Sequence, residues 1–120
     1  MFELSTVEDV AVLHLTGELN YQEVREIEGM LGKLMQSAKT KVVLNFQKVD
    51  HVNYKTLNTL LDGALKMRSL QGDLKCASLN YYTQNIFRFS GVDQMVESYD
   101  SVSEAVLSFH GGEEKHRTWH

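Results

Sequence analysis

The stretch VDHVNYKTLNTLL (residues 49–61) holds the change of period on which the reading of this chain turns. Before it, KVVLNF (residues 41–46) is β-branched and nearly apolar throughout, the pattern of a central strand covered on both faces. After it, Leu57, Leu60, Leu61, Ala64, Leu65 and Met67 recur at helical spacing, which predicts a helix from about residue 54 to 70. Between them lie Asp50, His51, Asn53, Tyr54, Lys55 and Thr56, a polar loop joining strand to helix. In open α/β sheets such joints are where binding and chemistry concentrate. Asn53 stands at the N-cap position, and Tyr54, Lys55 and Thr56 form a first turn whose backbone N–H groups lack helical partners. A cation in that turn opposes the helix dipole by ~0.3–1 kcal/mol. Lys55 is therefore not there for the helix; it serves solvent or an acidic partner.

Working outward, FELSTV and VAVLHLTG alternate apolar and polar residues about a turn at VED, which predicts an antiparallel hairpin. Asn20 opens a helix as its N-cap, accepting from the N–H of Glu23, and Val24, Ile27, Leu31, Leu34, Met35 and Ala38 form its apolar stripe. QGD stops the second helix, with Gly72 taking the left-handed conformation. LKCASL reads as a strand, and YYTQNIFRFSGVD as a short helix ending at Gly91 that buries Ile86, Phe87 and Phe89. MVESY reads as a short edge strand. SVSE is a capping box, Ser101 with Glu104, ahead of Val102, Ala105, Val106 and Phe109. The order β-β-α-β-α-β-α-(β)-α predicts one α/β domain, a mixed sheet opened by a hairpin with helices packed on it. Its expected span is residues 1–110, with residues 111–120 a disordered polar tail.

At 120 residues, 42% hydrophobic and 23% charged, the chain has the composition of one ordinary soluble domain. A net charge of -4 with no basic cluster argues against nucleic acid. No apolar run approaches the ~20 residues of a membrane span, and the N-terminus lacks the basic and apolar regions of a signal peptide. One cysteine, Cys76, cannot form an internal disulfide, so a cytoplasmic location is expected.

Enzyme chemistry finds no good candidate, and neither a metal nor a cofactor is expected. His14 lies on a strand, His51 in the joint, and His110, His116 and His120 at or in the tail; none has the spacing of a zinc site. Cys76 alternates inward with Leu74 and reads as a small core residue. EGMLGK lacks the spacing of a phosphate-binding loop. Tyr81 and Tyr82 with Phe87 and Phe89 would suit base stacking, but the charge favours a buried helix instead.

Three blocks taken together carry a resemblance. LTGELN (residues 15–20), SGVD (residues 90–93) and DSVSEAV (residues 100–106) follow, in order and spacing, the L-x-G-x-L-D, x-G-L-D and D-S-x-x-E-A blocks of the STAS domain, the fold of bacterial anti-sigma factor antagonists. Asn20 replaces the first Asp. The resemblance covers about residues 1–110. It implies a non-enzymatic partner-switching regulator of transcription that binds an anti-sigma factor of the serine-kinase type or another signalling protein; a homodimer stays open. The alternative it implies is a small structural STAS subunit of a lipid-transport ATPase complex or a signalling scaffold. In the family, a serine at the start of the second helix, within D-S-S-G-L, is phosphorylated, which dismisses the partner. Aligned on residues 53–57, that motif puts Lys55 at the phospho-acceptor and Thr56 at the glycine. The resemblance thus places the partner-binding surface at Asn20, Asn53, Tyr54, Lys55, Thr56 and Asn58, with the serine removed. Thr56, one residue along a helix from the acceptor position, points about 100° away.

Overall fold

The hairpin forms as its alternation requires. In the computed structural model, which describes residues 2–111, β1 (Glu3–Val7) and β2 (Val10–Leu19) pair antiparallel across a two-residue turn, with Glu8 at φ 57°. Then follow α1 (Tyr21–Gln36), β3 (Lys41–Val52), α2 (Tyr54–Ser69), β4 (Asp73–Ala77), α3 (Tyr81–Ser90), a 3-10 turn (Val92–Gln94), β5 (Ser98–Tyr99) and α4 (Val102–Ser108). The sheet order is β1-β2-β3-β4-β5, and every pair after the first is parallel. This is the single α/β domain with a mixed, hairpin-opened sheet that the pattern implies. The expected tail, apart from Gly111, lies outside the described residues.

Strand alternation divides the core. Ala11, Leu13, Leu15, Val42, Leu44, Phe46, Leu74 and Cys76 face one side, where Ile27 and Leu31 of α1, Leu60, Ala64 and Met67 of α2, and Phe87 of α3 cover them. Val10, Val12, Val43, Ala77 and Tyr99 face the other, against Ala105 and Val106 of α4. Full burial pushes the Cys76 thiol's pKa up, which keeps it protonated and inert.

Several local expectations are corrected. β3 does not end at Phe46 but runs on to Val52 beside β2, so Asp50 and His51 are strand residues rather than loop. The β2–β3 register shifts near Thr16 and again between Gly17 and Glu18, and Gly17 supplies the positive φ of 78° found there. After α2 the left-handed residue is Gln71, at φ 66°, not Gly72. Gly72 is needed for space instead: a Cβ there would lie 1.9 Å from the Thr40 carbonyl oxygen, which accepts from the Asp73 N–H. Leu65 and Phe89 turn outward, Phe89 with 87% of its surface exposed, and only Phe87 of its group is fully buried. On α1, Ala38 lies past the helix end and is exposed. Gly91 ends α3 in the left-handed conformation, and Ser101 Oγ accepts from the Glu104 N–H at α4, both as the sequence indicates.

Candidate partner-binding site

Parallel pairing is what assembles the site. Leu19 of β2 and Val52 of β3 are register partners, so both strands end side by side. The residues that follow, Asn20 and Asn53, start α1 and α2 at the same rim of the sheet. Asn53 caps α2 as expected, its Oδ1 accepting from the Thr56 N–H at 3.1 Å. Asn20 does not cap α1. Its backbone is extended as a cap's should be, and its carbonyl accepts from the Val24 N–H, but its side chain makes no cap bond. The amide is left exposed at the rim.

Tyr54, Lys55 and Asn58 lie on the exposed face of the first turns of α2, with Tyr54 at 79% exposure. Residues three and four apart on a helix are neighbours, so the three form one patch. Thr56 points the other way. It is fully buried, and its hydroxyl donates to the Leu19 carbonyl at 3.2 Å and lies 3.3 Å from Asn53 Oδ1. That hydroxyl ties the start of α2 to the end of β2. It leaves the exposed set to which the sequence assigned it. Thr59, one turn on, is also buried and donates to Glu28 at 2.9 Å.

Lys55 does not stand alone in solvent. Its ammonium lies 5.4 Å from the centroid of the Tyr21 ring, while the Arg25 guanidinium sits 5.7 Å from that centroid and donates to the Tyr21 hydroxyl at 3.2 Å. The hydroxyl contact raises the Arg25 pKa further above its ordinary value. Tyr21 therefore joins α1 to α2 across the rim. The next joint repeats the design: Asn80 caps α3 through the Thr83 N–H at 2.7 Å and donates to the Val49 carbonyl at 3.3 Å. There Tyr82 stacks on His51, with centroids 5.5 Å apart and planes at 25°.

Sequence reading placed His51 at the joint but missed Tyr21, Tyr81 and Tyr82 as rim residues. A signal was present: the dipeptide Asn-Tyr occurs at residues 20–21, 53–54 and 80–81, each time at a strand-to-helix joint. Four of the chain's five tyrosines consequently stand exposed near the ends of the parallel strands. Among the described residues no group of three or more His, Cys, Asp or Glu is placed to hold a metal ion, and no helix is long and apolar enough to cross a membrane.

Comparison with known proteins agrees with this architecture. A family model described as "Mlab, STAS domain" matches residues 2–97. A curated protein of Thermotoga neapolitana, described as an anti-sigma factor antagonist, is 23% identical over 112 residues, covering 92% of this chain and 99% of its own. Among solved structures, an anti-sigma factor antagonist from Thermotoga maritima superimposes with a TM-score of 0.85 at 21% identity, over 91% of this chain and 94% of that one. The antagonist SpoIIAA in its unphosphorylated form gives 0.73 at 18% identity, over 93% and 99%. Parallel strands that end together, helix starts gathered at their rim and a family match over most of the length lead to one conclusion: the chain belongs to the STAS domain family.

Proposed function

We propose that this chain is a non-enzymatic regulator that binds a protein partner, an anti-sigma factor of the serine-kinase type or a related signalling protein, through the rim formed by Asn20, Tyr54, Lys55 and Asn58. In this reading it binds without a phosphorylation switch at the family's usual position. The curated antagonists among its relatives favour a regulator over a structural subunit of a transport complex. One observation carries the absence of the switch. The first two turns of α2 hold two aliphatic hydroxyls, Thr56 and Thr59, and both are buried and hydrogen-bonded inside the fold. A kinase needs an extended, exposed hydroxyl to transfer a phosphoryl group, and a phosphate of charge near -2 would be costly to bury there. Lys55 supplies the opposite charge at the alignment's acceptor position and has no hydroxyl to modify.

The test is incubation with the cognate serine kinase and ATP, followed by intact-mass measurement and a binding titration. The expected result is no added phosphate and unchanged binding. A phosphate mapped to Thr56 that abolishes binding would overturn the reading. The Lys55→Ser variant gives the complement: phosphorylation followed by release of the partner is expected if the scaffold retains the family logic and lacks only the acceptor.

A further inference from the structure

The first strand is an edge with few of the usual defences. Val7 and Val10 flank a two-residue turn and are register partners, so they form the hydrogen-bonded pair that closes the hairpin. Alternation then directs the backbone groups of Val7, Ser5 and Glu3 toward β2 and those of Phe2, Leu4 and Thr6 away from it. The Phe2 N–H is held by the Glu26 carboxylate at 2.7 Å. Among the described residues, nothing in the sheet pairs with the outward groups of Leu4 and Thr6. Natural edges are blunted by lysine, proline, bulges or extreme shortness. β1 has one charged residue, Glu3 at its start, but no lysine or proline, and its register with β2 is unbroken. The opposite edge, β5, is protected by being two residues long.

An apolar groove of about 400 Å³ lies against this edge, lined by Leu4, Gly29, Met30, Lys33 and Leu34 among others. Leu4 is 47% exposed. Gly29 and Gly32 of α1 border open space, since a Cβ on either would meet no atom within 4 Å. Neither glycine is required by the chain's own packing, yet each costs the helix about 0.8–1 kcal/mol relative to alanine. They leave room beside α1 for another backbone to come close.

We infer that β1 and the adjoining face of α1 form a two-fold interface between two copies of this chain. This surface is separate from the α2 rim and does not depend on the function proposed for it. A two-fold axis through the outward-facing Leu4 pairs it with Leu4 of the second copy, with each exchanging an N–H and a C=O bond. Phe2 then lies opposite Thr6, and the two sheets become one. The same axis brings the two α1 helices together, antiparallel, above Leu4. Centred between Gly29 and Met30, that pair places Glu26 of each copy, whose carboxylate also holds its own Phe2 N–H, on the same side of the seam as Lys33 of the other. The charges on either side of the centre are of opposite sign, so the surface complements itself, as an isologous interface must.

Light scattering across micromolar to near-millimolar protein should give twice the 13.7 kDa chain mass. Cys76 is fully buried, so Leu4→Cys adds the one accessible thiol among the described residues. Mild oxidation of that variant is expected to yield a cross-linked dimer, and of Val7→Cys little or none. Lys33→Glu, on an exposed helix face, sets like charges across the axis and should raise the dissociation constant at least tenfold. Thr6→Pro removes an outward donor without touching the β2 ladder, and should give a folded monomer by circular dichroism. A 13.7 kDa species at every concentration with no Leu4→Cys cross-link overturns the inference and leaves the groove to another protein or to residues 112–120. A dimer unaffected by Lys33→Glu overturns it equally, whether or not Thr6→Pro folds.

Discussion

Tyr54 concentrates the question of function at one side chain. It is the first residue of α2, 79% exposed, and makes no ring contact among the described residues comparable to that of Tyr82 with His51. An exposed ring can bury a large area against a partner while its hydroxyl keeps a polar contact. Tyr54→Ala should weaken partner binding by ~1–3 kcal/mol, and the melting temperature should stay near that of the parent because the ring supports no core. A titration against the purified partner, paired with a thermal melt, reads both. An unaltered affinity would move the interface away from this rim. At this scale the sequence showed a great deal. The Leu57, Leu60, Leu61, Ala64 stripe sets which side of α2 is buried, and Lys55 and Asn58 fall opposite to it. The burial of Thr56 was not legible, because its environment comes from Leu19, a residue 37 positions away.

Helices and strands show where local rules suffice. Asn53 and Asn20 look alike in sequence, but only Asn53 accepts a cap bond. Asn53→Ala should therefore lower stability by about 1 kcal/mol, while Asn20→Ala changes it by no more than a few tenths in a denaturation titration. β4 carries a sharper example. Leu74 and Cys76 face α2, which puts Lys75 under α4, where it is 6% exposed. Its ammonium lies 3.3 Å from Glu97, donates to Ser108 Oγ at 2.7 Å and sits 4.3 Å from the centroid of Phe109. Removing Lys75 takes the cation away from Glu97, which keeps the Tyr99 hydroxyl as a donor at 2.7 Å, and empties a space packed against Phe109. Lys75→Ala is expected to destabilise the domain by ~1.5–3 kcal/mol, measured by chemical denaturation. The β4 alternation was legible; that its outer face would be covered was not, because α4 arrives from a distant part of the chain.

Across the whole molecule, the segment just after α4 returns to the hairpin turn. His110 Nε2 lies 2.9 Å from Asp9 Oδ1, and Lys41 Nζ donates to Asp9 Oδ2 at 2.8 Å, so the hairpin turn, the start of β3 and the segment after α4 meet at one carboxylate. The Lys41 bond first, and His110 second, lower the Asp9 pKa from 3.8 to about 2. A depressed folded-state value means that the stabilisation is complete above about pH 4 and is lost as pH falls through about pH 2. The Asp9→Asn variant should lose that part of the acid dependence, as followed by denaturation midpoints across this window. The effect should be small and salt-sensitive, since the group is open to solvent. The domain boundary after residue 110 stands as a proposal: deletion of residues 112–120 should leave the melting temperature within a degree or so, given how little apolar surface that segment can bury. A drop of several degrees would mean that Trp119 packs on the domain. The sequence by itself determined the element order, the two apolar stripes, the hairpin and the strand-to-helix joint at Asn53, because period, capping and turn chemistry act within a few residues. Tertiary structure alone decided the length of β3, the burial of Thr56 and Lys75, the spatial demand at Gly72 and the gathering of three Asn-Tyr joints near one rim. Each of these depends on which distant strand or helix lies alongside, and parallel pairing brings such partners together only when the chain has closed on itself.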